Sequence, residues 1–433
     1  MPLNMPQVDD NNIWHPFSIQ SEKHRNTYVS RGDGAVLFDE NGKEYIDLVS
    51  SWWCNLHGHA NSEIAEAISC QAKKLEHVIF SGYTHGQAVD LTQNILNHMP
   101  DALNKIFFSD NGSTSIEIAM KIAYQYYVNT GDTKRNTFVA FEGGYHGDTF
   151  GAMAIGASNG YHDVFAGLLG SCKFFKYPCI TDGCDIESIE SDVLGQIDDY
   201  FSSYGNTVIA AFIEPLVQGA SGMQVSRPQF LNAFVKLCHQ HNIIVVFDEI
   251  MTGFFRTGKM FAMDYIDDKP DMVCLSKGLT GGFLPLGLTV VASKIYKAFR
   301  SHDIAKAFMH GHTYTGNPIS CSAANASYKI LMRDATQRRI AKIEEFIRDN
   351  FYKLNTIECV RNVRTMGCIG AFDLSCNNDI LMSVVNSLKN EGILMRPLMQ
   401  RTLYWIPPYC ITDDQMIRCF DTMFDVVSEV TKK

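Results

Sequence analysis

The stretch 228–249 constrains this chain more than any other. Pro228 sits where a helix can start, because the first helical position needs no N–H. Leu231, Phe234, Val235 and Cys238 then recur at helical spacing, and that helix should end near Asn242. The run 243–247, Ile-Ile-Val-Val-Phe, reads as a buried strand closed by the acidic pair Asp248-Glu249. A helix feeding a fully apolar strand is the repeating unit of a largely parallel sheet with helices on its faces. The alternation recurs along the middle of the chain. The run 105–108 looks like a strand leading through a loop to a helix over about 115–128, the runs 137–141 and 272–275 read as further strands, and 208–213 is another short apolar run. After about residue 325 the pattern changes to long helices with short strands, as at 368–372 and 403–406. The expectation is an α/β chain in which 61–325 forms a large sheet domain and 326–433 a smaller α+β domain. The strand-rich segment 1–60 packs against the smaller one.

Several function classes are disfavoured. A net charge of −10 and an isoelectric point near 5.8 do not suit a nucleic-acid partner, which requires a basic surface to replace counterions. No apolar run approaches the ~20 residues of a bilayer span. The segment 1–12 is polar and acidic, without the basic-then-apolar order of a secretory signal, so a cytoplasmic location is expected. The 13 cysteines are scattered, with no C-x-x-C pair. Cys274, among apolar neighbours, reads as a small buried hydrophobe. His57-Gly-His59 and His310-Gly-His312 lack a third and fourth ligand at zinc spacing, so no metal is expected.

The candidate chemistry begins with Asp248 and Lys277, 29 residues apart (277 − 248), each following an expected strand. Ligands of open α/β sheets bind beyond the carboxyl ends of the strands, so both side chains can enter one crevice. A carboxylate to keep a pyridine nitrogen protonated and an amine to hold an aldehyde are what pyridoxal phosphate requires. A helix-capping aspartate and a surface lysine account for the same two residues about equally well. Gly112-Ser113-Thr114 lies between a strand and a helix, where free N–H groups and the helix dipole favour an anion; an ordinary helix cap is the plainer reading. In the segment 142–149, two glycines beside Tyr145 suggest a tight turn presenting a ring to a flat ligand, or else a packed core tyrosine. The loop 310–318 supplies more hydroxyls.

Together these segments resemble a known family. The run 246–258, Val-Phe-Asp-Glu-Ile-Met-Thr-Gly-Phe-Phe-Arg-Thr-Gly, followed by 275–282, Leu-Ser-Lys-Gly-Leu-Thr-Gly-Gly, looks like the signature of class III pyridoxal phosphate aminotransferases. The likeness covers nearly the whole chain. It implies fold type I, with a large cofactor domain and a smaller domain from both chain ends, and ping-pong transamination. By this resemblance Lys277 is the catalytic Schiff-base lysine, Asp248 meets the ring nitrogen, and Gly112 and Ser113 hold the phosphate. Tyr145 lies over the ring on the substrate side. Gly311, His312 and Thr313 come from the partner in a homodimer with shared sites. Phe17, Trp52 and Trp53 line the substrate pocket, and Arg396 binds a substrate carboxylate.

Within the class, the segments 13–17, 50–53, 144–153, 395–398 and 406–409 are most similar to the biotin-synthesis branch. That branch aminates 8-amino-7-oxononanoate with S-adenosylmethionine as donor. Many members carry tyrosine at the position of Phe17 and proline at that of His312, and the segment 284–289 looks more like the class in general. Lysine as donor, or another omega-amino acid substrate, therefore stays open. A nicotinamide-dependent oxidoreductase is disfavoured, since no Gly-x-Gly-x-x-Gly follows a first strand. The intact pair Asp248 and Lys277 argues against a catalytically silent binding protein.

Overall fold

A computed structural model describes residues 5–19, 26–157 and 160–430. The first four residues of the acidic N-terminal segment thus lie outside the described residues, as do the last three of the C-terminal one. Seven strands form the central sheet: β1 (Leu103–Ser109), β2 (Thr137–Phe141), β3 (Cys172–Phe175), β4 (Val208–Ile213), β5 (Ile244–Asp248), β6 (Met272–Leu275) and β7 (Gly287–Ala292). Their order is β1-β7-β6-β5-β4-β2-β3. β7 is antiparallel to both neighbours, and the other adjacent pairs are parallel. Six strands therefore end at the same edge of the sheet.

The sequence runs become strands because both faces are covered. Every residue of β4 to β7 is buried. Side chains alternate between faces with period two. Val245, Phe247, Val273 and Leu275 join one apolar core, while Ile244, Val246, Met272 and Cys274 join another. The helix expected to begin near Ser115 begins at Gly112 and runs to Thr130 (α1). Asn111 caps it: the Asn111 side chain accepts from Thr114 N–H at 3.0 Å, and Thr114 Oγ1 accepts from Asn111 N–H at 3.1 Å. The helix at Pro228 runs to Gln240 (α2), with Pro228 in its first turn.

Both chain ends meet beside this sheet. Strands Val29–Asp33, Val36–Asp39 and Glu44–Asp47 pair antiparallel, and Ile393–Leu394 adds parallel to the last, with Ile393 opposite Ile46. Val360–Met366, Ile369–Leu374 and Thr402–Trp405 form a separate three-stranded sheet accompanied by helices Asp334–Phe351 and Asp413–Val430. The N-terminal segment read as strand-rich also contains a helix, Met5–Asn12. Among the described residues no helix is long and apolar enough to cross a membrane.

Arg256 joins these parts. It is only 1% exposed. Its Nη1 donates to Pro407 O at 2.7 Å, and Nη2 donates to Asn55 O at 3.2 Å and Trp53 O at 3.4 Å. The guanidinium also lies 5.0 Å from the centroid of the Tyr409 ring.

Candidate active site

The loops at the carboxyl edge of the sheet enclose a cavity of about 670 Å³. Gly112 and Ser113 reach it from the start of α1, Tyr145 from the loop after β2, Asp248 from the end of β5, and Lys277 from just beyond β6. Trp53 closes another side. The structure thus brings six of the sequence-predicted residues to one cavity.

Asp248 is 3% exposed. Its Oδ1 accepts from Ile250 N–H at 3.0 Å, and its Oδ2 lies 2.7 Å from His146 Nδ1. Burial alone would depress the His146 imidazole, but the hydrogen bond and charge of Asp248 outweigh it and leave the group above its ordinary value. Asp248 is thereby held by two hydrogen bonds in a nearly dry place. Lys277 Nζ lies 4.6 Å from the centroid of a Trp53 ring. Burial pushes its ammonium pKa down, against the pull of Asp248 and Glu214, so proton loss becomes easier. Lys277 also takes a left-handed backbone, φ 45°. Glu214 accepts from Tyr145 N–H at 3.1 Å and Gly219 N–H at 3.0 Å, and burial raises its carboxyl.

The opposite end of the cavity suits an anion. The capping box of α1 occupies the N–H groups of Asn111 and Thr114 and leaves those of Gly112 and Ser113 to a ligand. Ser113 Oγ accepts from Thr149 N–H at 3.0 Å and is 2.8 Å from Thr149 Oγ1. Gly147, at φ 120°, lets the neighbouring loop close on it: a Cβ there would stand 2.3 Å from Ser113 Oγ. A phosphate cradle, a buried carboxylate and an amine of depressed basicity in one cavity fit pyridoxal phosphate.

Trp53 belongs to an unusual turn. Ser50, Ser51, Trp52 and Trp53 have φ of 48°, 44°, 77° and 72°, four successive left-handed residues. Such a backbone costs roughly 1–2 kcal/mol per residue. It is held by Ser50 Oγ donating to Ile406 O at 2.6 Å, Ser51 Oγ to Asp47 Oδ2 at 2.7 Å, and Trp53 Nε1 to Tyr404 OH at 3.0 Å. Trp52 faces out. The Phe17 ring meets it edge-on at 5.3 Å, and the Arg396 guanidinium lies 4.8 Å from its centroid. Tyr161 extends this cluster, 6.0 Å from Phe17.

Gly311, His312 and Thr313 do not reach this cavity in their own chain. They line a separate one of about 580 Å³ with His77, Phe80 and Phe107. His312 Nδ1 is 2.7 Å from Asp110 Oδ2.

The sequence reading gave no role to His146, Asp148, His162, Glu214 or Tyr161. His146 and Asp148 closely follow Tyr145 in the quoted motif, a signal that was there to use; Glu214 comes directly after β4, much as Asp248 ends β5. Nothing local marks His162 or Tyr161.

The His-Gly-His pairs have structural partners. His59 Nε2 is 3.0 Å from Asp47 Oδ2, and His57 Nε2 is 3.0 Å from Ser327 Oγ. Burial, helped by the charge of Arg256, lowers His57 to about 3. The folded protein therefore prefers neutral His57. Both states leave it neutral above the unfolded value near 6.5; as pH falls from there towards 3, the unfolded chain gains a proton that the folded one refuses, and stability is lost. This term should reach about 2 kcal/mol by pH 5. Urea unfolding of His57→Gln at pH 7 and pH 5 should show a correspondingly smaller loss; an unchanged loss would refute the assignment.

Comparison with known proteins agrees with this geometry. Residues 18–427 match the model of the family Aminotransferase class-III. An adenosylmethionine-8-amino-7-oxononanoate aminotransferase from Synechococcus elongatus is 40% identical, covering 96% of this chain and 99% of the relative. The crystal structure of the enzyme of that name from Methanocaldococcus jannaschii superposes with a TM-score of 0.91 at 33% identity, covering 98% of each chain. An amine transaminase from an uncultivated Pseudomonas species, solved in its PLP-bound form, gives a TM-score of 0.89 at 26% identity, covering 97% of this chain and 98% of that one. The fold is therefore the α/β fold of these transaminases and the cofactor is pyridoxal phosphate. This chain belongs to the class III aminotransferases.

Proposed function

We propose that this enzyme aminates 8-amino-7-oxononanoate to 7,8-diaminononanoate in biotin synthesis, with S-adenosylmethionine as donor and both substrates using the pocket in turn. The observation that carries the reading is the pairing of two sites. A cofactor cavity lined by Trp53 holds Lys277 and Asp248, and the next residue in the chain, Trp52, joins Phe17 and Arg396 in an aromatic wall ending in a cation. A long aliphatic keto acid needs both: apolar surface for its methylenes, ~0.8 kcal/mol each, and an arginine fork for its carboxylate. The near-full-length relatives that carry this enzyme's name support the same substrate.

Gly112, Ser113 and the shared Thr149 hydroxyl would hold the cofactor phosphate, Asp248 the ring nitrogen, and Tyr145 one ring face. When bound, pyridoxal phosphate supplies an electron sink for the carbon that loses its proton. Asp248 would keep the ring nitrogen protonated, and its carboxyl group is held in position by His146 Nδ1 and Ile250 N–H. Lys277 Nζ takes a proton from the carbon that bears the amine and later returns one; burial lowers its basicity and eases proton loss. Trp53 covers the amine and excludes water. Arg396 fixes the far end of the substrate.

Gly311, His312 and Thr313 would complete the site of a partner subunit, making the homodimer the working unit, in the cytoplasm. Residues 61–325 would carry the cofactor, and the segments 1–60 and 326–433 the substrate wall.

The test is to incubate the purified enzyme with the keto acid and either S-adenosylmethionine or lysine, then quantify the diamine. Diamine formed with S-adenosylmethionine supports the full reading, diamine formed only with lysine replaces the donor, and none with either refutes the substrate. Arg396→Ala should raise KM for the keto acid by about 10- to 100-fold with kcat little changed, as expected for loss of a charge-assisted contact made equally in ground and transition states. Steady-state kinetics checks it.

A further inference from the structure

The Tyr145 hydroxyl faces the cavity already committed to a partner. It donates to Asp148 Oδ2 at 2.9 Å, and Asp148 Oδ1 lies 3.1 Å from His162 Nε2. The His162 ring stacks on the Tyr145 ring, with centroids 5.8 Å apart and planes at 27°. Tyr145 and Asp148 line the cavity, while His162 stands behind them, 7% exposed. Asp148 accepts only, so the Nε2 of His162 carries the hydrogen. Its Nδ1 is buried and without a partner among the described residues, which leaves the bond to Asp148 as the polar contact that fixes the imidazole there.

We propose that His162 is a positioning residue that makes this wall selective for the amine of the substrate. A phenol whose hydrogen is engaged in a bond to a carboxylate turns only lone pairs to the cavity, and an ionised carboxylate does the same. The two oxygens therefore offer acceptors and no donor. Such a wall favours a ligand group rich in N–H, an ammonium, and disfavours a carboxylate. Arg396, at the outer wall, has the opposite preference. Resting on the proposed keto substrate, this gives each end of that molecule its own place: the carboxylate at Arg396, and the amine beside the reacting carbonyl at Tyr145 and Asp148. The Asp148 side chain is itself 51% exposed and has room to rotate away. His162 holds it by one hydrogen bond and backs Tyr145 by stacking. Without that support the Tyr145 hydroxyl is free to turn as a donor, and the preference for an amine fades.

The test uses protein loaded with pyridoxamine phosphate and two alcohols that cannot be aminated, 8-amino-7-hydroxynonanoate and 7-hydroxynonanoate. Calorimetry gives Kd for each with the wild type, His162→Leu and His162→Gln, whose amide nitrogen stands near the place of Nε2. Loss of a charge-assisted contact corresponds to about tenfold or more in Kd. The expected result is a loss of about that size for the amino alcohol in His162→Leu, less than about twofold for the alcohol without the amine, and recovery in His162→Gln. Equal losses for both alcohols, or none for either, would overturn the positioning role. Failure of the wild type to bind either alcohol would instead remove the proposed keto substrate, and this proposal with it. Melting temperatures of the variants report whether they fold.

Discussion

Lys277→Ala should lose at least about 10⁴-fold in turnover, because one side chain performs both the covalent attachment and the proton transfer. The variant should also lose the visible absorbance of a lysine-bound cofactor while still retaining cofactor through the phosphate cradle at Ser113 and Thr149. Lys277→Arg should not rescue it, since a guanidinium stays protonated at any working pH and cannot act as base or nucleophile. The surroundings of Lys277 explain why a lysine serves here. Burial lowers its basicity, and the negative charges of Asp248 and Glu214 limit the drop. Single-turnover measurements with saturating donor distinguish the outcomes. Near-normal turnover in Lys277→Ala would end the assignment of Lys277.

Arg256→Ala should destabilise the protein by about 3–5 kcal/mol, among the largest effects of any single side chain outside the cavity. The guanidinium satisfies carbonyls of Trp53, Asn55 and Pro407, which come from opposite ends of the chain. Removing it leaves these acceptors buried without donors and opens a void beside Tyr409. Arg256→Lys should recover little, because one ammonium cannot span the positions served by a planar fork. Thermal unfolding of the cofactor-loaded protein measures the effect; a shift of less than a degree would show that the carbonyls find other donors. Because Arg256 lies outside the cavity wall, cofactor affinity should change less than substrate affinity.

The two variants also mark what the sequence could reveal. The central sheet was legible because its strands are covered on both faces, so continuous apolar runs such as 208–213 and 243–247 stand out against amphipathic helices. Asp248 and Lys277 were legible for the same reason: each follows such a run. The start of α1 was read three residues late, since Asn111 rather than a later hydroxyl caps it. What stayed hidden depends on distant partners. The bond from Trp53 to Tyr404 spans 351 positions and that from His146 to Asp248 spans 102, and no local pattern announces either. His162 meets Tyr145 only through the fold. The left-handed run at 50–53 was invisible because serine and tryptophan carry no sign of positive φ, unlike the glycines that usually do.

That run has a consequence for how the enzyme can change. The anchors of its mirror-image turn are the side chains of Asp47 and Tyr404 and the carbonyl of Ile406, whereas the phosphate cradle and the Asp248–His146 pair lie wholly within 111–248. What is done to a carbonyl and which carbonyl is admitted are thus written in separate stretches of chain. A lineage can redraw the tryptophan wall by altering its two ends, where a few lost hydrogen bonds would let the turn relax to an ordinary hand, and leave the phosphate cradle and the Asp248–His146 pair untouched.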